Sequence, residues 1–156
     1  MGTWAAHLAP LGSVSTLDWP RGFAIPPLVA ALSAAVPAGD APLVIAGKSM
    51  GARIGCLAAE SVGAAAVVAF GFPLVPPSGR TAEREAVLRA ARVAMLFVTG
   101  DRDALCPLPH LERIRAEMSV PTSLHVVPGA DHAMRPRAGA DAACLAAIQA
   151  FLATVV

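Results

Sequence analysis

The chain has 156 residues, of which 56% are hydrophobic and 15% are charged, and its formal net charge is +1. A chain of this length is typical of one domain, and its apolar content excludes an intrinsically disordered protein. The single lysine and the near-zero charge provide no basic patch for nucleic-acid binding. We therefore expect one globular domain over residues 1–156.

The predicted elements alternate along the chain. Alanine-rich segments long enough for helices cover residues 4–10, 27–36, 50–61, 81–90, 108–118 and 140–154. Between them, short apolar runs bounded by Gly or Pro predict buried strands at 14–17, 43–46, 66–70, 93–99 and 123–127. Strands separated by crossover helices indicate an α/β fold, a mostly parallel sheet with helices on both faces. In this class, ligands bind beyond the carboxyl ends of the strands.

The cysteines and the apolar runs bear on metals and on membranes. Cys56, Cys106 and Cys144 are an odd number without the spacing of zinc ligands, so we expect reduced, packed thiols and neither metal nor cofactor. The N-terminus lacks a basic stretch followed by an apolar core. Gly and Pro interrupt the apolar runs before they reach the roughly 18 residues that span a bilayer. A cytoplasmic protein without membrane association is expected.

The strand predicted at 43–46 runs directly into Gly47-Lys48-Ser49-Met50-Gly51, a Gly-x-Ser-x-Gly motif followed by a helix. Such a strand-to-helix turn exposes the serine oxygen, holds the serine at positive φ and leaves no space for side chains at the glycines. The N–H of Met50 then lies at a helix N-terminus, where it can stabilise a developing oxyanion. The motif therefore predicts a nucleophilic Ser49.

Other interpretations of this loop are weaker. Gly-x-Ser-x-Gly also arises by chance in chains rich in alanine and glycine. Residues 47–49 could end a phosphate-binding loop, but that loop requires glycine at position 42, which is proline. The glycines at 47, 51 and 55 do not have the spacing of a dinucleotide fingerprint.

A serine hydroxyl needs a base to accept its proton, and in this fold class the acid and the histidine follow the serine in that order. His132 follows the last predicted strand, beyond its carboxyl end. His125 lies inside that strand, and His7 and His110 lie in or beside helices. We therefore predict His132 as the base.

The acid is predicted in the loop after the strand at 93–99. Both Asp101 and Asp103 follow Gly100 there. Asp103 lies further out on the loop, from where it can bend toward His132, whereas Asp101 could cap the turn. Asp103 is favoured and Asp101 remains the alternative.

Four stretches together resemble the α/β-hydrolase superfamily, namely 47–53, 71–77, 96–103 and 129–132. Within it, the chain is similar to dienelactone-hydrolase-like proteins, including a branch of testis-expressed hydrolase-like proteins. The resemblance implies Ser49 as nucleophile, Asp103 as acid, His132 as base and Met50 as oxyanion donor. Members have strands before their first helix, and a loop after one of them supplies a second oxyanion N–H. Because this chain begins near that helix, the resemblance implies an N-terminally shortened member.

The resemblance also suggests a function and a substrate site. Only residues 72–81 separate the strand at 66–70 from the next helix, so we expect no large lid and an open site bordered by Trp19, Phe72, Leu74 and Pro76. The predicted function is a serine hydrolase acting on small-molecule esters or other acyl substrates. The alternative is a catalytically silent scaffold or partner-binding protein of the same fold.

A shortened N-terminus would leave a gap in the sheet between the strands at 14–17 and 43–46. Exposed strand edges are paired or covered in stable proteins. Either these two strands close up into a five-stranded sheet, or a second copy of the chain covers the gap about a two-fold axis. The low charge of the chain favours the homodimer.

Overall fold

The computed structural model describes residues 2–18, 24–134 and 140–156. Six α-helices and four strands follow one another along these residues. The helices are α1 (Gly2–Leu8), α2 (Ile25–Ala35), α3 (Met50–Ala58), α4 (Ala82–Arg89), α5 (Leu108–Glu117) and α6 (Ala140–Val155), and a 3-10 turn (Ala9–Leu11) follows α1. The strands are β1 (Val44–Lys48), β2 (Ala66–Phe70), β3 (Ala94–Gly100) and β4 (Thr122–Val127).

The four strands form one parallel sheet in the order β1-β2-β3-β4. Helices α2 to α5 cover one face, and α1 and α6 cover the other. The predicted α/β fold, with a mostly parallel sheet and helices on both faces, is therefore confirmed. The short connection between β2 and α4 contains no large lid.

The two central strands, β2 and β3, are buried along their whole length. Alternate side chains of each strand enter the two hydrophobic cores, so Val67 and Met95 pack on one face while Val68 and Leu96 pack on the other. Strands covered on both faces consist of continuous apolar runs, which is the pattern seen in the sequence.

Helix boundaries follow from local chemistry. Proline stands in the first turn of α2 and of α5, where its missing N–H has no helical acceptor to lose. Glu83 and Glu85 lie in the first turn of α4 and Arg89 in its last, which complements the helix dipole. No described helix has both the length and the apolar character needed to cross a membrane.

The strand predicted at 14–17 is wrong: these residues form no strand. A strand needs a neighbour to satisfy its backbone hydrogen bonds. Residues 14–17 and β1 instead line the same groove, whose volume is about 1120 Å³, and Val14 is 42% exposed. The five-stranded sheet, one of the two alternatives, does not form within the described residues.

Candidate active site

Ser49 lies in the turn between β1 and α3, with φ 51° and ψ −114°. Positive φ is uncommon for a residue with a side chain and indicates a strained turn, as the motif predicts. The Ser49 N–H donates to the carbonyl of Phe70 at 2.9 Å, which ties the turn to β2. A Cβ at Gly47 would lie 2.4 Å from the carbonyl carbon of Gly51, so this close turn requires glycine.

His132 follows β4 and lies between the other two predicted site residues. Its Nε2 is 2.8 Å from Oγ of Ser49, and its Nδ1 is 2.9 Å from Oδ2 of Asp103. Both distances are those of hydrogen bonds. With the ring proton on Nδ1, His132 donates to Asp103 and accepts from the Ser49 hydroxyl, so the three side chains form one continuous chain of hydrogen bonds.

The Asp103 side chain is fully buried, whereas that of His132 is 25% exposed. Backbone N–H groups of Leu105 and Cys106 donate to Oδ1 of Asp103 at 2.9 and 3.1 Å. A buried carboxylate is tolerated when its oxygens accept hydrogen bonds in this way. The loop thus holds the carboxylate in position to orient the imidazole.

The structure distinguishes between the two candidate aspartates by their hydrogen-bond partners. Asp101 does not contact His132 among the described hydrogen bonds; its Oδ1 accepts from the N–H of Gly129 at 2.6 Å. This contact joins the loop after β3 to the loop after β4. Asp103 is therefore the aspartate beside the histidine, and Asp101 braces the two loops.

Met50 is the first residue of α3. N–H groups in the first turn of a helix have no acceptor within the helix and point beyond its end. The position of Met50, directly after Ser49, is thus compatible with an oxyanion donor, a role that stays a prediction.

The predicted substrate border needs correction. Phe72 and Leu74 are fully buried, and Pro76 is also buried. The ring of Phe72 packs edge-on against that of Phe97, with 6.5 Å between the ring centroids. Both rings lie in the hydrophobic core on the face of the sheet that α2 to α5 cover. These side chains stabilise the core and offer no surface to a substrate. Trp19 lies outside the described residues.

Two residues at the site were not singled out as functional in the sequence analysis. Gly71, directly after β2, has φ 53°, and a Cβ there would lie 3.1 Å from Oδ2 of Asp103 and 3.3 Å from Nδ1 of His132. Lys48 donates from Nζ to the carbonyl oxygen of Ala133 at 2.6 Å. The sequence offered one signal for each residue. Gly71 is a glycine at the carboxyl end of a predicted strand, and Lys48 is the single lysine and stands beside the serine.

Other reactive groups near the site are unsuited to catalysis. Burial raises the pKa of the Cys106 thiol to about 12, so it remains a protonated, packed side chain rather than a competing nucleophile. Among the described residues, no group of three or more His, Cys, Asp or Glu side chains is arranged to hold a metal ion.

A Ser-His-Asp hydrogen-bonded chain on loops at the carboxyl ends of parallel strands is the arrangement found in the α/β-hydrolase fold class. Residues 24–156 match the alpha/beta hydrolase domain family. The chain belongs to this family.

Solved structures share the fold at low sequence identity. An α/β serine hydrolase homologue from Coxiella burnetii is 18% identical with a TM-score of 0.66, and the match covers 96% of this chain and 74% of that one. A dienelactone hydrolase from Anabaena variabilis is 19% identical with a TM-score of 0.67, covering 86% of this chain and 62% of that one. A lidless α/β serine hydrolase from Xanthomonas campestris is 16% identical with a TM-score of 0.55, covering 72% and 47%.

Proposed function

We propose that the protein is a serine hydrolase that cleaves small esters or related acyl compounds. Ser49 is the nucleophile, His132 the general base and acid, and Asp103 the residue that orients the imidazole. The single observation that supports this proposal most strongly is the unbroken hydrogen-bond chain from Oγ of Ser49 through the His132 ring to Asp103.

Ser49 and His132 act in both halves of the proposed reaction, the acylation of the serine and its deacylation. His132 Nε2 takes the proton from Ser49 as Oγ bonds to the acyl carbon, and the carbonyl electron pair moves onto oxygen. The bond to the leaving alcohol then breaks, and that alcohol departs with the proton from His132. A water molecule next gives a proton to His132 as its oxygen bonds to the acyl carbon. The bond from that carbon to Oγ of Ser49 then breaks, Oγ takes the proton back from His132, and the acid is released.

The developing negative charge is stabilised at the start of α3. The backbone N–H of Met50 is proposed to donate to the oxyanion, assisted by the positive end of the helix dipole. Because the turn is already formed before substrate binds, this donor needs no rearrangement during the reaction.

A fluorophosphonate probe tests the nucleophile directly. We expect stoichiometric labelling of Ser49, located by mass spectrometry of the digested protein. The Ser49→Ala variant should lose labelling and lower kcat for p-nitrophenyl esters by roughly 10⁴-fold or more, because no other group replaces the nucleophile. Ser61→Ala is the matched control, since its hydroxyl donates to the Ala58 carbonyl at the end of α3.

A wild-type protein that stays unlabelled and inert over a series of acyl-chain lengths would refute the proposal. That result would favour the alternative, a catalytically silent protein of the same fold. In an active enzyme, the same acyl series would identify the preferred acyl length.

A further inference from the structure

Lys48 connects the two loops that hold the proposed nucleophile and base. Its Nζ donates to the carbonyl oxygen of Ala133 at 2.6 Å, although the two residues are 85 positions apart in the chain. Lys48 directly precedes Ser49, and Ala133 directly follows His132. The contact therefore spans the same pair of loops as the Ser49–His132 hydrogen bond.

Backbone strain occurs on both sides of this contact. Within the described residues, Ser49 at φ 51° and Met134 at φ 50° are the two residues other than glycine with positive φ. Each directly follows one partner of the Lys48–Ala133 contact. Such conformations persist only when the surrounding structure holds them.

Other contacts of the histidine loop are made within the loop itself or with the loop after β3. The N–H of Ala133 donates to the Asp131 carboxylate at 2.9 Å, and the N–H of Met134 to the Asp131 carbonyl at 3.0 Å. The Met134 side chain is buried in the core against α6. None of these contacts reaches the strand that precedes Ser49, whereas Lys48 is the last residue of that strand.

We propose that Lys48 is a positioning residue: its ammonium group holds the His132 loop at the distance from β1 that Ser49 requires. A hydrogen bond from a charged donor is stronger than one between neutral groups, and this one joins the end of β1 to the histidine loop at the protein surface. Lys48 acts through Ala133 and touches neither reacting atom. The proposal rests on the function proposed above.

Kinetics of three variants test this role. Lys48→Met keeps the length of the side chain but has no donor, and we expect kcat for a p-nitrophenyl ester to fall about 10- to 100-fold while KM changes less than about twofold. Lys48→Arg retains a charged donor and should restore kcat to within about fivefold of wild type. Arg92→Met is the control, because it removes an exposed cation before β3, at the opposite end of the sheet. A Lys48→Met enzyme with wild-type kcat, or an equal loss in the Met and Arg variants, would overturn the proposal.

Amide hydrogen exchange measures the loop without relying on activity. Exchange over residues 129–134 should be faster in Lys48→Met than in wild type, and Lys48→Arg should remain close to wild type. If wild type is unreactive toward ester and probe, the proposed function fails, and unchanged exchange at 129–134 would then refute the loop contact as well. If wild type is active and the Lys48 variants match it in kcat and in exchange, the positioning role alone is refuted.

Discussion

At the scale of single residues, Gly71 sets how closely β2 approaches the Asp103–His132 pair. The residue follows β2 with φ 53°, and a side chain there would contact both Asp103 and His132. Positive φ alone costs a residue with a Cβ about 1–2 kcal/mol. The crowding at Gly71 adds a second effect, because the atoms nearest to the added Cβ belong to the two groups whose hydrogen bond orients the imidazole.

Gly71→Ala should therefore impair catalysis more than stability. We expect kcat to fall roughly 10- to 100-fold, since a displaced imidazole no longer aligns with Ser49. Gly79→Ala is a matched control in the same loop: φ is 71° there, but nothing lies within 4 Å of the added Cβ. Both variants should lose similar thermal stability, measured as Tm, and only Gly71→Ala should lose activity. Equal kcat in the two variants would contradict the prediction.

At the scale of elements, α4 and α5 are joined by a cluster of charges around Glu85. Its carboxylate accepts from His110 at 2.8 Å, Arg89 at 2.9 Å, Thr81 at 3.0 Å and Arg113 at 3.2 Å. The hydrogen bonds from His110 and then Arg89 lower the pKa of the Glu85 carboxyl from 4.5 to about 2. The charged form of Glu85 is thus favoured in the folded protein.

This cluster predicts an acid-dependent contribution to stability. A lowered carboxyl pKa stabilises the fold above the ordinary value of 4.5, and the stabilisation is lost as the pH falls from there toward 2. The Tm of Glu85→Gln should lie below that of wild type near pH 7, and the difference should disappear near pH 2. Glu60→Gln, an exposed residue after α3, is the control. A gap in Tm that is constant over this pH range would show that Glu85 does not act through its charge.

Elements buried on both faces were predictable because their sequence pattern is local. The strand at 66–70 is confirmed with the same residues, since a short, continuous apolar run between helical segments is typical of a buried strand. The strand at 14–17 failed because strand formation depends on a partner that no local pattern describes. Its composition is strand-like, yet no strand among the described residues pairs with it.

The residues of the candidate site were likewise predictable only in part. Motif and chain order pointed to Ser49, Asp103 and His132, because chemistry restricts which residue types can follow each strand. The border residues Phe72 and Leu74 were wrongly assigned, since a run of apolar residues after a strand does not specify whether its side chains enter the core or the solvent. That choice depends on the tertiary path of the loop.

At the scale of the whole molecule, β1 is one of the two edge strands of the sheet. It pairs with β2 on one side, and no described residue pairs with its other side. The groove along this edge is lined largely by apolar residues, including Val14, Leu17 and Val44. Unpaired, apolar edges associate with other chains unless they are covered. We propose that a second copy of the chain covers this edge.

Light scattering coupled to size exclusion measures this association. We expect twice the 15.8 kDa mass of one chain at micromolar concentration. Val14→Lys should reduce the mass to that of one chain, because a charge in the groove opposes apolar contact. Leu57→Lys is the matched control: Leu57 is 39% exposed, similar to the 42% of Val14, but lies on α3 away from the groove. A single-chain mass for wild type would refute the dimer.

The strand order also has a consequence for how the protein is made. The order β1-β2-β3-β4 in space repeats the order of synthesis, so each strand leaving the ribosome can add to the edge of the strand made before it. Ser49 emerges with the first strand, whereas His132 follows the last strand, 83 positions later. A nascent chain that ends after α5 therefore lacks His132, so Ser49 has no imidazole beside it to accept its proton. The hydrogen-bonded chain of Ser49, His132 and Asp103 is complete only after β4 and the loop that follows it have been made.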